Sequence, residues 1–430
     1  MVDLAALIVT PVAAHECEHD SLGDDRPGRR GYSPGMIARR RFLALAASSI
    51  ASPALAASVD LRLPGGPSDR PLTAAFADKR RMILQRTTPP LLETPLSVFD
   101  AGIFTPNDRF YVRWHWPFPT EIDARAFRLR IDGHVRAPLA LSLADIAALP
   151  RFEIAAVNQC SGNSRGFFEP RVAGAQWGHG AMGNALWSGV RLRDVLAAAG
   201  VKDGAVRLRF SGMDEPPLPE SPDFQKSLAI DHALDGEVML ATHMNGAPLP
   251  LLNGFPLRLV VPGWFSTYWV KMLDRIEVLA GSDDNYWMAR AYLVPSTPDG
   301  GIAPGTRDFA RQPISTMVPR AFITNVADGS RRHWQSALPV GGIAFGGTAG
   351  AARVEVSADG GATWRDAALG PDAGRYSFRR FDTVVAAPRG TARLLARCTS
   401  TAGVVQPLTG MWNPGGYLRG QVEAVNVAFT

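Results

Sequence analysis

One cysteine in this chain stands where backbone can come close to a bound group. Cys160 lies in the loop Val157-Asn-Gln-Cys-Ser-Gly-Asn-Ser-Arg-Gly-Phe-Phe168, rich in glycine, serine and asparagine, just after a strand-like run that begins at Phe152. Loops of this composition approach ligands closely, and a cysteine there is able to bind a metal as its thiolate. Cys398 has a different setting, the apolar segment Ala392-Arg-Leu-Leu-Ala-Arg-Cys398, where a buried inert thiol is the default. In an oxidising compartment the two are also able to pair as a disulfide. Upstream, Phe110-Tyr-Val-Arg-Trp-His-Trp116 reads as a strand whose alternation puts Tyr111, Arg113 and His115 on one face. A guanidinium there is suited to bidentate capture of an oxyanion. Downstream, the loop from Gly263 to Thr267 can turn backbone N–H groups toward a phosphate. No Cys-x-x-Cys-His haem attachment sequence and no multi-cysteine cluster occurs, so a covalently attached haem is not expected.

The chain around these residues has 430 positions, 46% of them hydrophobic, enough for two domains and a large buried cofactor. Its net charge of +5, from 45 basic and 40 acidic residues, is too mild for a nucleic-acid stripe and tolerates anionic substrates. Residues 39 to 57, Arg-Arg-Arg-Phe-Leu-Ala-Leu followed by small residues, read as a twin-arginine export leader ending near Ala56. Periplasmic localisation of a folded, soluble protein follows as the expectation, because no later run approaches the roughly 20 apolar residues of a membrane helix. Such leaders usually export proteins that fold around a cofactor in the cytoplasm. Met36 is a natural start for that leader, which makes residues 1 to 35 a candidate mis-assigned start. Within them, His15, Glu16, Cys17, Glu18 and His19 resemble a metal site in composition, but adjacent residues do not readily converge on one ion.

Residues 57 to 95 lack clear periodicity and read as an extended arm. From 96 to 300, short strand-like runs (127 to 131, 206 to 210, 238 to 241, 257 to 261) mix with helical pieces such as 192 to 199, which argues an α+β catalytic domain. Pro295 to Pro313 has the composition of a connector. From 315 to 430 the runs 321 to 326, 340 to 345, 352 to 356, 376 to 381 and 391 to 398 are closely spaced, and an antiparallel sandwich of immunoglobulin type is expected.

The Cys160 block, together with Trp177-Gly-His-Gly-Ala-Met-Gly-Asn-Ala-Leu-Trp-Ser-Gly-Val-Arg191 and Leu252-Asn-Gly-Phe-Pro-Leu-Arg258 through Lys271, resembles the sulfite oxidase family of molybdopterin enzymes, and within it the bacterial sulfite dehydrogenases. The likeness runs over nearly all of residues 95 to 430. It implies molybdenum held by a single molybdopterin (a pyranopterin dithiolene), with Cys160 completing the metal's ligands. It further implies that Arg113, His115, Arg165 and Tyr292 surround the substrate. Tyr111, Asp214, Asn253, Arg258, Ser266, Thr267 and Lys271 would join Arg113 and His115 in binding the cofactor, with Ser227 a weaker candidate. Asn253 departs from the pattern, since many relatives carry histidine there and an amide holds no charge. The implied reaction is oxidation of sulfite to sulfate with electrons passed to an external c-type cytochrome, in a homodimer or in a heterodimer with a cytochrome subunit. Competing readings are the molybdenum subunit of a thiosulfate-oxidising complex, a sulfoxide reductase of the same family, and a nonenzymatic immunoglobulin-type binding module.

Overall fold

The computed structural model describes residues 57–387 and 389–430. The expected export leader and the His15 to His19 cluster lie outside them. Among the described residues sheet dominates: six sheets account for the architecture, and helices are single short turns apart from Leu192–Ala199, which falls where the sequence places it. That helix turns Leu192, Val195, Leu196 and Ala199 inward and is closed by Gly200 at φ +64°. No helix among the described residues is long and apolar enough to cross a membrane.

The stretch expected to be an extended arm is instead folded. Ser58–Asp60, Asp69–Thr73, Met82–Arg86 and Leu91–Glu93 form an antiparallel sheet whose fifth strand is Val112–Arg113. Strands of three to five residues are too short to show a period, yet Met82, Leu92, Val112 and Trp114 bury themselves against Met272 in a core of their own. A second sheet orders Gln225–Ala229, Arg207–Gly212, Leu273–Leu279, Leu129–Gly133 and Leu139–Leu141, with a parallel pairing between the third and fourth. A third joins Arg151–Gln159, Met182–Arg191, Met239–Met244 and Arg258–Val260. In this sheet Arg151–Gln159 begins with alternating exposure and becomes wholly buried from Ala155 onward, so it delivers Cys160 into the interior.

Beyond residue 315 two sheets enclose a separate apolar core that includes Val354, Phe381, Leu394 and Val427. One contains Arg320–Ile323, Ala337–Phe345 and Arg379–Ala386; the other Ala351–Ser357, Thr391–Ser400 and Ala424–Phe429. The run expected as a strand at 376 to 381 begins only at Arg379, because Tyr376 and Phe378 leave this core and pack into the larger one around the third sheet. Within the expected connector, Leu293–Pro295 and Arg311–Pro313 pair as a small ribbon.

A buried ionic cluster ties the C-terminal sheets to the cysteine loop. Glu423 accepts from Arg320 (2.8 Å) and Arg419 (2.9 Å), Arg320 also donates to Ser164 Oγ (3.2 Å), and Ser164 Oγ is 2.8 Å from His179 Nδ1. Burial alone would raise the Glu423 carboxyl, but Arg419, His179 and Arg320 hold it down at about 2. Burial pulls the His179 imidazole down to about 4 from 6.5. Both folded values lie below those of an unfolded chain, so each group's stabilisation is present at neutral pH and lost on acidification. His179 is therefore expected to contribute a loss of stability as pH drops from 6.5 to about 4, with Glu423 contributing below 4.5. Calorimetry from pH 7 to 4 checks this: His179→Gln should flatten the upper part of the slope, and an unchanged slope rules the assignment out.

Candidate functional site

The strand Arg151–Gln159 ends where the chain must turn sharply. Cys160 N donates to Ala181 O (2.9 Å), Asn163 N to Cys160 O (2.9 Å) and Ser164 N to Gly178 O (2.7 Å), while Ser164 takes φ +66°. The Asn163 side chain reinforces the turn by accepting from Ala181 N at 2.9 Å. Cys160 thus sits on a loop stapled to residues 178–181, 6% exposed, at the wall of a cavity. Cys160 and Cys398, the two cysteines among the described residues, are both free. Cys398 is fully buried in the C-terminal sheets and its thiol is pushed up to about 12 by burial, which leaves Cys160 unbridged and Cys398 inert.

Most of the expected side chains converge on this cavity. Arg113 and His115 do share a face, as alternation requires, with Val112 and Trp114 turned to the opposite core. Tyr111 is buried and donates to Asn158 Oδ1 at 2.7 Å. Arg258, Ser266, Thr267, Lys271, Asn253 and Tyr292 line the same cavity. Two expected residues are set back. Asp214 is buried beside Lys271, where the desolvation that raises its carboxyl is opposed by that ammonium. Arg165 stands behind the cysteine loop, its guanidinium 4.9 Å from the ring centre of Tyr417. Ser227 belongs elsewhere: its hydroxyl accepts from Arg207 at 3.2 Å.

The cavity is strongly electropositive and incompletely satisfied. Arg113 Nη1, His115 Nδ1, Asn158 Nδ2, Ser161 Oγ, Arg258 Nε and Thr267 Oγ1 are buried without a protein partner. Burying such atoms unpaired costs about 1–3 kcal/mol each, so a polar ligand is needed to justify so many at one place. Burial pulls the Lys271 ammonium down, and Arg258 is pulled down to about 10 by the same cause. The phosphate of a ligand would reverse this by compensating the charge. His115 is lowered well below the usual imidazole value, first by burial and then by Arg113, Lys271 and Lys226, so it is neutral at pH 7. Its Nε2 lies 2.5 Å from Tyr292 Oη, and its ring stacks on Phe224 at 3.8 Å. Burial pushes the Tyr292 phenol up, so that it retains its proton at neutral pH.

Several contributors were not visible in the sequence. Ser161, Phe224 and Leu252 line the cavity. Lys226, fully buried, donates to Trp287 O at 2.7 Å and lies 5.5 Å from the ring centre of Tyr292. Lys79 resolves the departure at Asn253. Its ammonium, 4% exposed, donates to Asn253 Oδ1 at 2.6 Å, to Asn107 O at 2.6 Å and to Phe110 O at 2.9 Å. With Oδ1 taken by a cation, the amide cannot flip, and Nδ2, which donates to Tyr111 O at 3.2 Å, remains the donor edge. The ionisable group absent from the amide itself thus sits directly behind it, its ammonium pulled down to about 7 by burial. Lys79→Met should reduce the molybdenum bound per purified chain several-fold, as read by elemental analysis; full loading in that variant means the buried ammonium has no part in holding the cofactor pocket.

Comparison with known proteins agrees with this geometry. Residues 115–287 match the oxidoreductase molybdopterin binding domain. The chain is 33% identical over 359 residues to mitochondrial sulfite oxidase of Mus musculus, covering 78% of this chain and 63% of that protein, so it spans under two thirds of the mammalian relative's length. Sulfite oxidase of Gallus gallus is 32% identical over 347 residues, covering 76% of this chain and 73% of its own. The crystal structure of the sulfane dehydrogenase SoxCD from Paracoccus pantotrophus superposes with a TM-score of 0.69 at 25% identity, over 83% of this chain and 87% of that one. Identity sustained across about three quarters of both the chicken protein and this one is decisive: the chain belongs to the sulfite oxidase family of molybdopterin-binding oxidoreductases.

Proposed function

We propose that this protein is the catalytic subunit of a periplasmic sulfite dehydrogenase, which oxidises sulfite to sulfate with water as the oxygen source and releases two protons and two electrons to an external c-type cytochrome. The observation that carries the reading is the set of unpartnered buried polar atoms, cationic on most sides, gathered beside the free thiol of Cys160. These residues fit a molybdopterin: a thiol for the metal, Arg258 and Lys271 with the hydroxyls of Ser266 and Thr267 for a phosphate, and Asn253 and Tyr111 for polar edges of the pterin. When bound, the molybdenum centre supplies the two-electron acceptor. Arg113 binds and orients the sulfite anion, whose charge the surrounding cations favour, Arg165 among them from behind the cavity wall. Tyr292 holds a proton at Oη and presents it to the anion or to His115 Nε2. His115, kept neutral by burial and the adjacent cations, accepts from that phenol without adding a further charge.

The relatives named sulfite oxidase favour sulfite as substrate, and export by the twin-arginine leader would place the reaction in the periplasm. The test is a purified, exported sample assayed for molybdenum and for sulfite-dependent reduction of cytochrome c. About one metal per chain with turnover supports the proposal; a metal-free protein with no turnover ends it. A second reading, the molybdenum subunit of a sulfane-oxidising assembly, is favoured by the likeness to SoxCD. Turnover of thiosulfate-derived sulfane, but not of free sulfite, would select it. The sheets beyond residue 315 are proposed to be a separate immunoglobulin-type domain following the catalytic domain of residues 96 to 300, and to serve dimerisation.

A further inference from the structure

After the last loops of the C-terminal sheets, residues 412–419 return to the cysteine loop and are fastened along it. Trp412 Nε1 donates to Pro170 O (2.7 Å), Leu418 N to Ser161 O (3.1 Å) and Arg419 Nη1 to Phe167 O (2.8 Å). Inside the segment, Asn413, 2% exposed, brackets Tyr417: its Oδ1 accepts from Tyr417 N (3.1 Å) and its Nδ2 donates to Tyr417 O (2.8 Å). Two glycines make room. A Cβ on Gly415 would come within 2.6 Å of the Tyr417 ring, and one on Gly416, at φ +58°, within 2.8 Å of Arg165 Cγ. Tyr417 is thereby held with one neighbour on each side of its function: its ring stacks on Tyr292 at 5.3 Å and 21°, and the Arg165 guanidinium lies 4.9 Å from its centre.

What the guanidinium lacks is as telling. Among the described residues, its side-chain hydrogen bonding consists of one long contact, 3.4 Å to Ala175 O, and its buried Nε has no partner. Gly162 and Gly174 face it without side chains, since a Cβ on either would come within 2.8 Å of its atoms. A carboxylate would also fix an arginine, but would consume its donors and neutralise its charge. An aromatic face fixes it and leaves both for a ligand.

We propose that Tyr417 is a positioning residue of the catalytic pocket, whose ring holds Arg165 and Tyr292 in register for an oxyanion while leaving the guanidinium charge uncompensated. This rests on the sulfite reading above. In loaded holoenzyme assayed with cytochrome c, Tyr417→Leu should raise the KM for sulfite and the inhibition constant of sulfate together, by about tenfold, as expected for loss of a desolvated cation on a ring. The kcat should change much less. Tyr417→Phe keeps the ring and should restore both constants to about the wild-type values. In an Arg165→Met background, Tyr417→Leu should add nothing further, which a general loosening of the fold would not reproduce. Unchanged constants in Tyr417→Leu, an equal loss in Tyr417→Phe, or full additivity with Arg165→Met overturns the proposal. If Tyr417→Leu does not fold, Gly416→Ala drives a methyl group at Arg165 and Val172 with the ring intact, and unchanged anion constants there overturn it equally. Calorimetric titration of sulfate into the same proteins separates the two claims. A wild type that binds sulfate but does not oxidise sulfite refutes the substrate, whereas equal sulfate binding by wild type and Tyr417→Leu refutes the role of Tyr417.

Discussion

Cys160→Ser is expected to abolish sulfite oxidation, lowering kcat by at least about a thousandfold, the scale on which loss of an indispensable group acts. The substitution is nearly isosteric, and the backbone bonds from Cys160 to Ala181 and Asn163 do not involve the side chain, so the loop keeps its shape. What changes is the ligand: a neutral hydroxyl is a harder and weaker partner than a thiolate for a metal bound by sulfur. Turnover should therefore be measured per molybdenum atom, alongside the melting temperature. A variant with normal metal content and undiminished turnover would show that the sulfur takes no part.

Tyr292→Phe should lower kcat by about a hundredfold, within the range for removal of a positioned proton donor, while leaving the melting temperature within a few degrees. Phenylalanine retains the stack on Tyr417 and loses only the bond between Oη and His115 Nε2. The site is demanding of backbone as well, since Tyr292 has φ +57°, a conformation that most side chains avoid and that recurs where function requires a fixed direction. The readout is kcat at saturating sulfite, with molybdenum content as the control. Activity within threefold of wild type would mean that the phenol is only a wall of the pocket.

How much of this could be read from residues alone depends on how local the cause is. The helix Leu192–Ala199 and the shared face of Arg113 and His115 follow from periodicity, a property of a few consecutive residues. Cys160 was legible because a glycine-rich loop after a buried strand has few other uses. By contrast, the strands of residues 58 to 93 carry no period, and their burial depends on partners such as Val112 and Met272 far along the chain. Lys79 lies in that same stretch and reaches Asn253 across 174 positions, so no spacing rule could have paired them. Arg165 and Asp214, expected as a substrate residue and a cofactor residue, are set back from the cavity wall, because a motif gives order along the chain and not depth. Tyr417 was invisible for the opposite reason: nothing in Asn413-Pro-Gly-Gly-Tyr417 announces chemistry until the segment is seen lying against the cysteine loop.

That docking also has a temporal side. The contact from Arg419 to Phe167 O joins positions 252 residues apart, a distance that a ribosome covers in roughly 10 to 50 s at common elongation rates. Throughout that interval the nascent cysteine loop lacks the contacts from residues 412–419 that later fasten it.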